Sequence, residues 1–275
     1  MKKTTLCGIV TGMEHSGTTL LSQLLNAHPD VAAGVESGIL LANLHEFNSL
    51  KPYWDWLSGS AGWGWCLLEE HRDLLLDAES YADVFQILGE HKGKNNKDLY
   101  LRALFQSSHI IYDKTPAYVF HLTAVLSRID VPCCITMKSW PETFNSYCIK
   151  RQWDTNKLAA RYEKMLDEVI LAKQRFGSRI LVILYRSLAH GDPAVMRAVG
   201  RHFALPGKFE LSLASYNRRF GDFIVSKNSF VKSNLFYDEI DASAVGMAGE
   251  YYLNRMREYE SYFREKFRQA TLGSI

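Results

Sequence analysis

Short runs of consecutive apolar residues alternate along the chain with segments in which apolar residues recur every three or four positions. Continuous apolar runs predict strands that are covered on both faces, as in a parallel sheet. Four such strands are predicted: Thr5–Val10, Ile110–Tyr112, Cys133–Met137 and Ile180–Tyr185.

Helical periodicity separates these strands. A helix is predicted from Thr18 to Ala27, and a second over Asn156–Gln174 with one apolar stripe. A third begins at Asp192-Pro193, with aspartate as N-cap and proline in the first turn, and residues 237–265 read as a terminal helix. Because strands and helices alternate, we expect an α/β fold with an open, mainly parallel sheet and helices on both faces.

Two segments depart from this alternation. Residues 50–70 form a tryptophan-rich insert with four of the six tryptophans, and residues 207–236 are irregular and polar. Neither resembles a linker, so we expect a single domain over residues 1–275.

The composition excludes several classes of protein. The 32 lysines and arginines against 30 aspartates and glutamates leave a net charge of +2, which argues against binding nucleic acid or membrane through bulk charge. No apolar run approaches the roughly 18–20 residues of a membrane span, and the first run is too short for a signal peptide. The five cysteines lack metal-ligand spacing, which predicts reduced thiols in a cytoplasmic protein without a metal site.

A glycine-rich turn joins the first strand to the first helix. Gly12 and Gly17 have the spacing of a nucleotide-binding P-loop, in which backbone N–H groups and a helix N-terminus bind an anion. Thr18 stands where the nucleoside-triphosphate motif needs lysine, which disfavours ATP or GTP. The candidate anion-binding residues are His15, Ser16, Gly17, Thr18 and Thr19.

The segment His15–Leu21, followed by the His-Pro-Asp-Val run that starts at His28, resembles the 5′-phosphosulfate loop of sulfotransferases. These enzymes use 3′-phosphoadenosine 5′-phosphosulfate (PAPS) as sulfonate donor. The resemblance is strongest to the branch that includes tyrosylprotein sulfotransferases, and it covers about residues 5–40 and 108–205. It implies the P-loop-like sulfotransferase architecture in a small-molecule enzyme of bacterial type. Family members carry lysine or arginine in the place of His15.

The resemblance also implies a site for the 3′-phosphate of the donor. The family places a basic residue after a later strand, a serine eight positions on and a basic residue four further. Lys138, Ser146 and Lys150 match this spacing, with Ser146 and Lys150 one helical turn apart. Tyr185 resembles a family tyrosine near the nucleotide, although a packing role is equally open.

Three residues are candidates for the chemistry that the resemblance implies. Glu36 matches a family glutamate that acts as general base, although an exposed loop glutamate is the alternative. Lys114 matches a lysine that contacts the transferring sulfonate, with a salt bridge to Asp113 as its alternative. We expect His15 to act as a cation or general acid once the donor is bound, since a neighbouring anion favours the imidazolium. Turnover should then fall as pH rises through neutrality and become flatter in His15→Lys.

The acceptor is the least constrained partner. The four tryptophans of the insert form either an aromatic mini-core or a wall that holds a cation or a flat polycyclic molecule. The second reading predicts a small-molecule acceptor, such as a basic natural product of the saxitoxin type, sulfonated on oxygen or nitrogen. The residues concerned are Trp54, Trp56, Trp63 and Trp65.

Two other functions remain open at this point. A nucleotide or nucleoside kinase would use Asp113 as a magnesium ligand at the end of a strand. A nucleotide-binding protein without catalysis is suggested by His15 and Lys138, which depart from the family pattern.

Overall fold

A computed structural model describes residues 5–35, 38–41, 110–149, 151–205 and 246–273 of the chain. Five parallel strands form one open sheet in the order β2-β3-β1-β4-β5. They are β1 (Thr5–Thr11), β2 (Val31–Val35), β3 (Ile110–Lys114), β4 (Cys133–Met137) and β5 (Ile180–Leu184). The predicted α/β class with an open parallel sheet is confirmed.

Seven α-helices occur in the described part of the chain, together with short tighter or wider turns. The helices are α1 (Thr18–Leu25), α2 (Leu122–Arg128), α3 (Trp140–Phe144), α4 (Thr155–Phe176), α5 (Tyr185–Ala189), α6 (Pro193–His202) and α7 (Gly246–Thr271). The 3₁₀ turns are Ile39–Leu41, Pro116–Phe120 and Gly177–Arg179, and a π-helical turn spans Asn145–Ile149.

Helices cover both faces of the sheet. Because neighbouring side chains of a strand point to opposite faces, Cys133 and Ile135 of β4 join one apolar cluster and Cys134 joins the other. The first cluster includes side chains of α2, α3, α4 and α7, and the second includes those of α1, α5 and α6. Strands buried on both sides explain why their sequences read as continuous apolar runs.

Helix boundaries follow their capping residues. Asp154 precedes α4 and accepts a hydrogen bond from the backbone N–H of Lys157 at 2.8 Å, and Gly177 ends this helix at a φ of 52°. Asp192 caps α6 in the same way through Ala194 N–H at 2.8 Å. The predicted start of α6 is therefore confirmed, and α4 is one residue longer at its start and two at its end than predicted.

Other boundaries also differ from the prediction, and strand β1 ends at Thr11 instead of Val10. Helix α1 ends at Leu25, strand β3 continues to Lys114, and Tyr185 begins α5 instead of ending β5. Helix α7 reaches Thr271, six residues beyond the predicted end, because apolar side chains up to Ala270 still pack on the core.

The sequence analysis missed β2. Its residues are valine, alanine and glycine, and the last two have low strand propensity. The strand is defined by its pairing with β3, where Ala32 lies opposite Ile111. A short, weakly apolar segment becomes a strand here because the edge of β3 offers it backbone partners.

The four cysteines in the described part of the chain are thiols, and Cys133, Cys134 and Cys148 are buried. Burial raises the pKa of Cys133 to about 12, so this thiol stays protonated and inert. The reduced state of the cysteines stays a prediction, and Cys66 lies outside the described residues. Among the described helices, none is long and apolar enough to cross a membrane.

Three histidines make the stability depend on pH. Burial is the main cause that lowers the pKa values of His15, His121 and His202 below the ordinary value. The folded protein then binds fewer protons than the unfolded chain around pH 6.5, so stability is present above that pH and is lost as pH falls. We expect the free energy of unfolding, measured in urea, to decrease from pH 7 to pH 5.5.

His202 provides the control for this prediction. Its Nε2 lies 3.1 Å from the carbonyl oxygen of Cys133, as expected of a neutral ring that donates. His202→Gln retains a donor and removes the titration, so the pH dependence should become shallower. A stability that is constant or higher at pH 5.5 would contradict the assignment.

Candidate active site

The turn between β1 and α1 has a backbone that glycine permits. Gly12 has a φ of 150°, and a Cβ at this position would collide with the carbonyl oxygen of Thr136 on β4. Gly17 has a φ of 102°, and its Cβ would lie 2.6 Å from Cδ2 of Tyr185. The loop therefore packs directly against the ends of β4 and β5, closer than a side chain would allow.

The start of α1 is suited to an anion. Gly17 is the N-cap and has no side chain to accept a hydrogen bond from the first helical N–H groups. The first turn contains Thr18 and Thr19 and no acidic residue. Thr18 is buried, whereas Thr19 is exposed. The backbone N–H groups of this first turn, which no side chain caps, and the positive end of the helix dipole favour a phosphate or sulfonate group here.

Ser16 attaches the loop to the sheet. Its Oγ lies 3.0 Å from Oγ1 of Thr136, and its backbone N–H donates to the carbonyl oxygen of Met13 at 3.0 Å. Both hydroxyl groups are buried. The loop is thus held in shape by a hydroxyl pair at the carboxyl end of β4.

The predicted 3′-phosphate residues lie next to this loop. The ammonium group of Lys138 donates to Oγ of Ser146 at 3.1 Å and lies 4.3 Å from the centroid of the Tyr185 ring. The Cδ2–Cε2 edge of that ring packs on Gly17. The structure therefore brings the Lys138–Ser146 pair together with Tyr185 and with the loop, which lie far from this pair in the sequence.

Local structure directs Lys138 and Ser146 towards each other. A capping box begins α3, in which Glu142 accepts from the backbone N–H and the hydroxyl of Ser139, both at 2.8 Å. This fixes the chain directly after Lys138. Ser146 lies on the π-helical turn, a feature often found at functional sites. Lys150, predicted to follow Ser146 on a regular helix, lies outside the described residues.

Lys114 ends β3 beside the strand that leads into the loop. It is 5% exposed, and it pairs in register with Val10 of β1. A buried cation next to the strand ends can act on an anion with little screening by water. The general-base candidate Glu36 lies outside the described residues, as do Trp54, Trp56, Trp63 and Trp65.

Asp113 holds in place the segment that follows Lys114. Its Oδ1 accepts from the hydroxyl of Thr115 at 2.9 Å, and its Oδ2 accepts from the hydroxyl of Tyr118. These hydroxyl oxygens accept from the backbone N–H groups of Gly38 and Leu40, both at 3.1 Å. Both carboxylate oxygens are therefore engaged at full burial, which does not favour Asp113 as the magnesium ligand of a kinase.

His15 lies on the exposed side of the loop, with a φ of 67°. Partial burial and the charge of Arg151 lower the pKa of His15 to about 4, against the opposing effect of the Glu14 carboxylate. Without a donor its imidazole is neutral at neutral pH. The expectation of a charged His15 concerned the donor complex and stays a prediction.

Several residues at the loop were not found from the sequence. Arg161 of α4 pairs with the carboxylate of Glu14 at 2.5 Å, and the hydroxyl of Tyr147 donates to the Glu14 carbonyl oxygen at 2.8 Å. Arg151 places Nη2 3.3 Å from Nδ1 of His15. These contacts join positions more than 130 residues apart, and the only signal in the sequence was the position of Arg151 directly after Lys150.

Comparison with known proteins shows which family the chain is similar to. The model of the sulfotransferase family matches residues 9–210, which include the loop and every site residue described above. Comparison with curated protein sequences finds no match.

Solved sulfotransferase structures are similar to this chain, and the first of them supports the fold. The sulfotransferase domain of the olefin synthase of Synechococcus PCC 7002 superposes with a TM-score of 0.53 at 15% identity, covering 94% of this chain and 96% of that chain. A sulfotransferase domain from the curacin biosynthetic pathway gives 0.47 at 15% identity, over 76% and 77% of the two chains. A sulfotransferase from Mycobacterium avium gives 0.45 at 16% identity, over 96% and 77%. On the family match, the chain belongs to the sulfotransferase family.

Proposed function

We propose that this protein transfers a sulfonate group from PAPS to a hydroxyl, amino or guanidino group of a small molecule. The observation that carries the proposal is the contact of two anion-binding elements through one tyrosine. The Tyr185 ring packs on Gly17 of the loop and carries the ammonium group of Lys138. PAPS has an anionic group at each end of one ribose and therefore matches such a pair.

The residues present fit this donor. The backbone N–H groups at the start of α1, with Thr18 and Thr19, would hold the phosphosulfate. Because Gly12 and Gly17 have no Cβ atom, the loop can lie close to the ends of β4 and β5. Lys138 would bind the 3′-phosphate by a charge-assisted contact, with the hydroxyl of Ser146 beside it.

The reaction is a direct displacement at sulfur. The acceptor oxygen or nitrogen attacks the sulfur atom of PAPS. As the new bond between the acceptor and sulfur forms, the bond between sulfur and the bridging phosphate oxygen breaks. The bridging oxygen leaves as part of adenosine 3′,5′-bisphosphate (PAP). The acceptor proton passes to a base, for which we propose Glu36. Lys114, buried at the end of β3, would neutralise the charge on the sulfonate and leaving oxygens. Both roles follow from the sequence resemblance.

For the acceptor we propose a chemical class and no single compound. We propose a small basic molecule held by the tryptophans of the 50–70 segment, since aromatic faces attract cations. The test is transfer of labelled sulfonate from PAPS to a metabolite extract, followed by identification of the product. A labelled protein fraction with no labelled small molecule would contradict this acceptor class.

Thermal unfolding with added nucleotide tests the donor. PAP at 100 times its dissociation constant should stabilise the fold by about 2.7 kcal/mol, which raises the melting temperature by roughly 5–10 °C. Lys138→Met should lose most of the shift. Arg264→Gln is the matched control, because Arg264 is an exposed cation on α7 with its side chain 76% accessible. No shift with PAP, or a larger shift with ATP and magnesium, would overturn the proposed donor.

A further inference from the structure

We propose that Arg151 is the permanent cation that faces the phosphosulfate at this loop, a role that rests on the proposed donor. Its guanidinium group lies between the two halves of the site. Nη2 is 3.3 Å from Nδ1 of His15 on the loop, and Nη1 donates to the carbonyl oxygen of Ser146 on the π-helical turn. A single side chain therefore contacts the loop and the turn that carries the 3′-phosphate serine.

The two neighbouring cations make other contacts. Arg161 is paired with Glu14, and Lys138 donates to Ser146 while lying over the Tyr185 ring. Within the part of the chain that the structure describes, the hydrogen bonds of Arg151 go to a histidine ring and a backbone carbonyl, both neutral. Its positive charge is thus not balanced by a described carboxylate, and an anion at the loop would balance it.

Arg151 and His15 cannot both carry a charge at low cost. The charge of Arg151 is the second cause, after burial, that lowers the pKa of His15. Arginine keeps its proton throughout the physiological range, and its planar group binds phosphate or sulfonate oxygens with two parallel hydrogen bonds. In the protein without donor, the positive charge at this position therefore belongs to Arg151.

Truncated ligands separate the two ends of the donor. We would measure dissociation constants of PAP, adenosine 5′-monophosphate and adenosine 3′-monophosphate at low salt for wild type, Arg151→Gln and Lys138→Met. Loss of one charged hydrogen-bond partner should weaken binding of PAP and the 5′-monophosphate about tenfold or more in Arg151→Gln, and leave the 3′-monophosphate within about twofold. Lys138→Met should show the opposite preference, and Arg264→Gln should match wild type.

Each outcome decides between the two proposals. Wild type that does not bind PAP would overturn the proposed function. If wild type binds PAP and Arg151→Gln binds the 5′-monophosphate as tightly as wild type does, the role of Arg151 is overturned and the proposed function is not. Equal weakening of the 3′-monophosphate in Arg151→Gln would also overturn it, since the charge would then serve the other end. Arg151→Lys, which keeps the charge, should retain affinity within a few-fold.

Two further measurements test the proposal by a result other than a loss of affinity. His15→Lys should restore binding of the 5′-monophosphate in the Arg151→Gln background and add little in the wild-type background. The His15 resonance can be assigned by its absence in His15→Gln. Its NMR titration should give a pKa of about 4 in wild type and a higher pKa in Arg151→Gln. A His15 pKa unchanged by Arg151→Gln would show that the two side chains are not in contact, and would overturn the proposal.

Discussion

Replacing Lys114 by methionine is expected to lower kcat for sulfonate transfer by about 10²–10³-fold, the usual effect of removing one preorganised group that stabilises transition-state charge. The side chain is 5% exposed at the carboxyl end of β3, where water screens its charge little. Methionine is an unbranched side chain of similar size, and it removes the ammonium group with its charge. Single-turnover rates at saturating donor, with the dissociation constant of PAP, measure the effect.

The contrast with Lys138→Met makes this prediction specific. Lys138 contacts Ser146 and Tyr185 at the donor site, so its loss should raise the dissociation constant of PAP and the KM for donor. Lys114→Met should leave PAP binding within a few-fold of wild type. A Lys114→Met enzyme with unchanged kcat, or with a loss confined to donor affinity, would contradict the assignment of Lys114 to the transferring group.

Gly12→Ala is expected to destabilise the protein by about 3 kcal/mol, from the cost of a strained backbone and of overpacking. Gly12 has a φ of 150°, and the added Cβ would meet the carbonyl oxygen of Thr136 and the Oγ of Ser16. A backbone oxygen in the middle of a sheet cannot move away as a flexible side chain can. The loop must therefore shift, and binding of PAP should be lost together with stability.

Gly200→Ala is the matched control for this substitution. Gly200 lies inside α6, and a Cβ there would meet no atom within 4 Å. Because alanine has the higher helix propensity, this variant should be about 0.5–1 kcal/mol more stable than wild type. Urea unfolding measures both free energies. A Gly12→Ala protein as stable as Gly200→Ala would show that the loop does not require glycine.

The chemistry of the donor site was in part predictable because its spacing is local. Lys138 and Ser146 are eight residues apart on one strand-to-helix connection, and the structure places their side chains 3.1 Å apart. Arg151 was not predicted as a site residue. Its role depends on His15, which lies 136 positions earlier in the chain, and no local pattern links the two.

Local patterns in the sequence determined the parts of this fold that depend on near neighbours. Four strands, the start of α6, the apolar stripe of α4 and the glycine loop follow from apolar periodicity, capping residues and backbone freedom. Only the tertiary structure decided β2, since alanine and glycine form a strand there through pairing with β3. It also decided the neutral state of His15, because pKa values depend on burial and on charges that the fold brings close.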